Sequence, residues 1–174
     1  MVLPPRAKPR SFRIDESALK VLDREAKRRR TSASALLNNF LVSYAEYGRI
    51  AEQMDALSLS RKTFMEVLSA TNDEDLARAG ERAGRSAVPA YIAAMHGPMT
   101  FQNIRDLMDV LSSHAHLFEF NENEDGFGKH WTLVHQLGSK WSLFLAHYFG
   151  EAFALANVRV RHETSERSII FWFA

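Results

Sequence analysis

Residues 10–14, Arg10-Ser11-Phe12-Arg13-Ile14, constrain the fold more than any other stretch of this chain. Side chains alternate across a strand, so Phe12 and Ile14 share one face while Ser11 and Arg13 share the other. Asp15 follows as a helix N-cap, with Glu16 in the favourable first turn. A first helix is predicted over about 16–29, its narrow apolar stripe made by Ala18, Leu19, Leu22 and Ala26. Its last turn, Lys27-Arg28-Arg29-Arg30, sets cations at the negative end of the helix dipole. Thr31, Ser32 and Ser34 offer caps for a second helix bearing Leu36, Leu37, Phe40, Leu41, Tyr44 and Ile50, expected to reach about residue 56, with Gly48 its weak point. One short strand and two helices cannot close a core, and a lone strand leaves an unpaired edge and an uncovered Phe12/Ile14 face. The economical solution is a homodimer. Two strands pair antiparallel, four helices cover them, and Phe12, Ile14, Leu22, Leu37, Phe40 and Leu41 form the shared core.

Charge separates along the chain. Residues 1–45 carry ten Lys/Arg against four Asp/Glu, a net of +6, and the remainder carries twelve against seventeen, a net of −5. The overall +1 hides a basic head on an acidic body, and a basic head favours polyanions. Residues 1–9 hold three prolines with Arg6 and Lys8, which reads as an extended basic arm. In the expected dimer the outward ribbon face presents Ser11 and Arg13 twice, related by a two-fold axis. A two-stranded ribbon with polar, basic side chains fits the major groove of DNA.

The pattern Phe12-Arg13-Ile14-Asp15, Leu19, Leu22, Ala26, Thr31-Ser32, Ser34 and Leu36-Leu37 resembles the ribbon-helix-helix DNA-binding domain of the Arc and methionine repressors. The match spans about 45 residues. The resemblance implies base reading by Ser11 and Arg13. It implies phosphate anchoring at the N-terminus of the second helix, at Thr31, Ser32 and Ser34. Arg6, Lys8, Arg10 and Arg28 to Arg30 would follow the phosphate backbone. Two departures stand out. Arg30 occupies a turn position where the family commonly has Gly, and Pro9 cannot read a base from the next outward position. Arg13 therefore carries most of the direct readout.

Residues 57–174 form a second expected domain, after an arm at 1–9 and a DNA-binding and dimerisation domain at 10–56. Helices are predicted at 60–70, 73–95 and 100–113, with Pro89 kinking or splitting the second. Leu117–Phe120 reads as a strand, Asn121–Gly128 as a turn, and 131–135 as another strand. A helix from about 137 to 156 follows, with only Lys140, His147 and Glu151 as a polar stripe. Val158 and Val160 alternate with arginines, and Ser168–Phe173 is apolar on both faces, as in a central or interface strand. The expected class is α+β: a ribbon-helix-helix, then a helix-rich domain ending β-β-α-β-β. This terminal block is similar to vinyl-reductase-type small-molecule-binding domains, which usually carry cysteines that are absent here. The similarity implies a small-molecule effector, and the aromatic face makes Trp131, Trp141 and Tyr148 the pocket candidates.

The lack of cysteine excludes disulfides, Cys-zinc sites, Fe–S clusters and thiol nucleophiles. No phosphate-cradling Gly loop follows a strand, and neither Asp73-Glu74-Asp75 nor the acids of 119–125 suggest more than solvated charge, so no enzyme activity or cofactor is expected. His114-Ala115-His116, with His96 upstream, resembles the H-x-H motif of nickel-responsive ribbon-helix-helix repressors, which also use a Cys. These three are the only metal candidates, and no metal is assigned. With no run of 18 uncharged apolar residues and no apolar signal segment, a cytoplasmic, DNA-associated protein is expected. Its partners would be double-stranded DNA, itself as a dimer or tetramer, and a small-molecule effector, with no membrane. The alternatives are an antitoxin that binds a toxin through the same fold, and a dimeric interaction protein that binds no DNA.

Overall fold

The computed structural model describes residues 10–95, 97–126 and 128–173. The chain is α+β and divides into two compact units, Met1–Ala45 and Glu46–Ala174. The division falls eleven residues before the expected 56/57 boundary. Tyr47 packs against the core of the second unit and Ile50 is buried, so this stretch joins that unit.

In the first unit, residues 10–15 form neither helix nor strand. A ladder needs a second edge, and among the described residues the sheet contains only the four strands of the second unit, so the expected strand does not form in the single chain. Helix α1 (Glu16–Arg28) is capped by Asp15, whose carboxylate accepts the amide of Ser17 at 2.8 Å and that of Ala18 at 3.4 Å. These hydrogen bonds, with that from the Ser17 hydroxyl the strongest, lower the Asp15 pKa. Helix α2 (Ala33–Ser43) is capped by Ser32, whose hydroxyl accepts the amide of Ala35 at 3.1 Å. A π-helical turn, Tyr44–Gly48, and α3 (Arg49–Gln53) follow.

The second unit adds α4 (Arg61–Ser69), α5 (Asp73–Met95) and α6 (Phe101–Val110), which ends in a π-helical turn, Leu111–Ala115. Strands β1 (Glu119–Asp125) and β2 (Gly128–Val134), α7 (Ser139–Leu155), β3 (Val160–Thr164) and β4 (Ser168–Phe173) complete it. The sheet is antiparallel in the order β1-β2-β4-β3. Strand β4 is therefore internal, which accounts for its apolar character: Ile169 and Phe171 are buried, while Ile170 and Trp172 lie on the opposite face.

Two expectations for the second unit also change. The segment read as a turn, 121–128, is mostly strand: Glu119 to Asp125 pairs residue by residue with Val134 to Gly128. It is an edge strand with one paired side and exposed polar side chains, and such edges carry charge that hides their alternation. Pro89 does not split α5, which runs unbroken to Met95.

Helix α7 lies directly against α5. A Cβ on Gly80 would meet the carbonyl oxygen of Phe144 at 2.7 Å, and one on Gly84 would meet that of Tyr148 at 2.3 Å. The polar stripe of α7 serves this packing. Glu151 accepts two hydrogen bonds from Arg85, at 2.8 and 2.9 Å, His147 lies 3.3 Å from Glu81, and Lys140 donates to the carbonyls of Ser69 and Thr71. The core behind it holds Phe149, Phe153, Phe171 and Ile104, all fully buried. Among the described residues no helix is long and apolar enough to cross a membrane.

Candidate functional site

The first unit buries little of its own apolar surface. Only Ala26 and Leu36 are buried among its described residues. Phe12, Ile14, Leu22, Leu37 and Leu41, with Ala18, instead line an apolar hollow of about 310 Å3. Phe12 is 66% exposed and Phe40 52%. Two of the residues expected on the ribbon's inward face therefore share one hollow with residues of both helices, while Phe40 lies outside it.

The link between α1 and α2 keeps the backbone geometry that glycine usually supplies. Arg30 adopts a left-handed φ of 53°. The Thr31 amide donates to the carbonyl of Ala26 at 2.9 Å, and the Arg30 amide to that of Lys27 at 3.2 Å. These are the two hydrogen bonds of a Schellman helix stop, in which the left-handed residue is usually Gly. Arg30 is tolerated there at a backbone cost of about 1 kcal/mol.

The expected phosphate-binding arginines are not equivalent. Arg28 donates to both carboxylate oxygens of Glu25, at 2.8 and 2.5 Å, and Arg29 donates to the same group at 2.6 Å. Hydrogen bonds from Arg28 and then Arg29 hold the Glu25 pKa down at about 2. Arg10, Arg13 and Arg30 are exposed and make no ion pair among the described residues. Thr31 and Ser34 are exposed beside the start of α2, whose first turn contains no acid. A helix start offers unpaired amides and a positive dipole end to an anion. Ser11 is exposed next to Arg13. Arg6 and Lys8 lie outside the described residues.

The histidine candidates do not converge. His114 lies on the π-helical turn Leu111–Ala115, with its Nε2 3.0 Å from Glu46 and its ring stacked on Tyr47. His116 takes a left-handed φ of 52° and lines a separate cavity with Arg61 and Gln136. His96 lies outside the described residues. Among those described, no group of three His, Asp or Glu side chains is arranged to hold a metal ion.

A buried His–Ser pair, not anticipated from sequence, joins the residue that follows β2 to α7. His135 Nε2 lies 2.9 Å from Ser142 Oγ, and its Nδ1 accepts the Leu137 amide at 3.2 Å. That acceptor role leaves the proton on Nε2, so the ring donates to the serine and is not set to abstract its proton. Burial lowers the His135 pKa.

Of the three pocket candidates, two share a cavity. Trp141 and Tyr148 line a space of about 160 Å3 with Tyr47, Tyr91, Phe118 and Phe144 among its walls. Trp131 does not join them. It is buried in the core, stacked on Phe101 with ring centroids 4.5 Å apart and packed edge-on against Phe173. The rings of Trp141, Phe144 and Tyr148 stack in succession along α7, at 5.0 and 5.6 Å. Tyr47 and Tyr91, on the π-helical turn and on α5, escaped the sequence reading because only folding brings them to α7.

Compared with known proteins, the chain matches no family model and no curated protein.

Proposed function

We propose that this chain is a sequence-specific DNA-binding transcriptional regulator that works as a homodimer of ribbon-helix-helix type, with a second unit that senses an effector or extends the assembly. The observation that carries this reading is the apolar hollow of the first unit. Phe12, Ile14, Leu22, Leu37 and Leu41 lie around it, and a unit that buries only two of its described side chains needs a partner to exclude water from the rest. A second copy is the economical partner, because pairing two 10–14 segments supplies the missing strand edge and brings both hollows together. The opposite face of that ribbon would then carry Ser11 and Arg13 from each protomer.

Arg13 would read guanine through a bidentate contact, worth about 1–3 kcal/mol of discrimination per base pair. Arg10, Arg30 and the N-terminus of α2 would hold phosphates. Arg28 and Arg29 would contribute less, because Glu25 already engages both.

The test is fluorescence anisotropy on a pool of duplex DNA across a salt series, with wild type and Arg13→Ala. Wild type is expected to bind with steep salt dependence, and the variant to lose sequence preference while keeping part of its affinity. Failure of wild type to bind at low salt would overturn the regulator reading and leave the ribbon as a dimerisation device. Binding that the variant matches in every respect would remove Arg13 from base reading.

A further inference from the structure

The aromatic cavity of the second unit has a composition that a plain core gap would not. Seven of its ten lining residues carry aromatic rings, the other three are leucines, and no charged side chain lines it. Three of the seven are tyrosines, each half-buried: Tyr47, Tyr91 and Tyr148. Tyr91 interacts electrostatically with both Tyr47 and Tyr148, so the three phenols gather around one space. None of the three hydroxyls bonds a protein group among the described residues, and none is sealed in the core, so each keeps some contact with solvent and is free to donate to a ligand. Burial raises the pKa of all three, that of Tyr148 most. They are therefore protonated at neutral pH and available as donors.

Each property selects a feature of a ligand. A volume of about 160 Å3 is close to the roughly 150 Å3 that takes one benzene ring, which favours one ring over a fused ring system. Flat aromatic walls favour a planar ring. The lack of a charged lining disfavours an ion, which would lose its hydration without a counter-charge. The unpaired phenol donors favour an acceptor oxygen on the ring's substituent.

We propose that this cavity binds an uncharged, single-ring aromatic molecule bearing a hydrogen-bond acceptor such as a carbonyl, with the acceptor held by the tyrosine hydroxyls. As an effector site it rests on the regulator reading above; as a binding site it does not, because every lining residue belongs to the second unit. Tyr47 also gives the site a route to the rest of the chain. It belongs to the π-helical turn Tyr44–Gly48 in which α2 ends, and π-helical turns often mark functional positions. A ligand that engages Tyr47 acts on that turn directly.

The test is isothermal titration of the full chain with acetophenone, toluene, benzoate and 1-acetylnaphthalene, repeated with Tyr148→Phe. Acetophenone is expected to bind saturably at one site per chain, more tightly than toluene, with benzoate and the two-ring ketone failing to bind. Tyr148→Phe keeps the ring and removes the hydroxyl. It should weaken acetophenone about threefold to tenfold, the loss of one hydrogen bond, and leave toluene unchanged. Absence of saturable acetophenone binding would overturn the proposal, as would equal binding of toluene and acetophenone to wild type. A second variant, Leu117→Trp, fills the cavity from a different wall and should abolish binding. Retained binding in that variant would place the ligand elsewhere. The DNA titration is then repeated with saturating acetophenone. A changed DNA affinity supports the effector role. Unchanged affinity overturns that role, and a protein that binds acetophenone but no DNA overturns the regulator reading alone.

Discussion

Gly84→Ala and Gly150→Ala make the same chemical change on two helices that pack together, and the structure assigns them opposite signs. A Cβ on Gly84 would sit 2.3 Å from the backbone oxygen of Tyr148, whereas one on Gly150 meets nothing within 4 Å. Helix α7 would have to retreat by about 0.7 Å to reach even the 3.0 Å below which real Cβ contacts essentially do not occur. The obstacle is backbone, which cannot rotate aside as a side chain can. Overpacking of this kind costs about 1–3 kcal/mol, and a forced backbone shift belongs at the upper end. Replacing Gly by Ala in a helix returns about 1 kcal/mol. The net for Gly84→Ala is a loss of about 2 kcal/mol, and for Gly150→Ala a gain of about 0.5–1 kcal/mol. Trp131, Trp141 and Trp172, the chain's only tryptophans, all lie in the second unit, so urea unfolding followed by their fluorescence reports on that unit. With a slope of about 2 kcal/mol per molar urea, the midpoint should fall by about 1 M for the first variant and rise by about 0.3–0.5 M for the second. A Gly84→Ala protein as stable as wild type would refute the close approach of α5 and α7.

Two further outcomes follow from local geometry. Arg30→Gly relieves a left-handed backbone and should stabilise the α1–α2 link by about 0.5–1 kcal/mol, read as a higher thermal midpoint by circular dichroism. The same variant should show a shallower salt dependence of DNA binding, since a phosphate contact is lost. A lower midpoint would contradict the Schellman stop. His135 has a pKa below its ordinary 6.5 because it is buried. The unfolded chain then binds the proton more readily, so the stability this group contributes is present above about pH 6.5 and is lost as pH falls through the depressed folded value. Urea midpoints between pH 7.5 and 5 should fall on the acid side for wild type, and less so for His135→Gln. An equal slope in both would remove His135 from the acid response.

Local signals were legible where local chemistry sets the structure. Asp15 and Ser32 both stand as N-caps, and the apolar spacing of 16–43 marked both helices of the first unit. The order β-β-α-β-β was readable because the alternation of 131–135 and 168–173 gives way to helical spacing between them. The extent of the edge strand β1 was not, since beyond Phe120, which packs on Trp131, its side chains Asn121 to Asp125 are exposed and its pairing is made by backbone alone. Pro89 within α5 shows packing overriding a local breaker, because α5 lies along α7 for much of its length. The tight glycines had a visible trace, Gly80 and Gly84 one helical turn apart, but nothing in their spacing named the carbonyls they approach.

The candidate sites divide in the same way. Ser11 and Arg13 were set on one face by strand period alone, an expectation that residues 10–15, neither helix nor strand in the single chain, leave to the DNA experiment. The sequence by itself determined the charge division, the two capped helices and an apolar set around Phe12 and Ile14 too large for the first unit to bury. The hold of Glu25 on Arg28 and Arg29 is equally local, since the three sit at i, i+3 and i+4 of one helix. Only the tertiary structure separated His114 from His116 and removed Trp131 from the cavity that Trp141 and Tyr148 line. Tyr47, Tyr91 and Tyr148 meet across more than a hundred positions of chain. Caps and periods act over a few residues, whereas a cavity is made by side chains whose only relation is that folding brings them together.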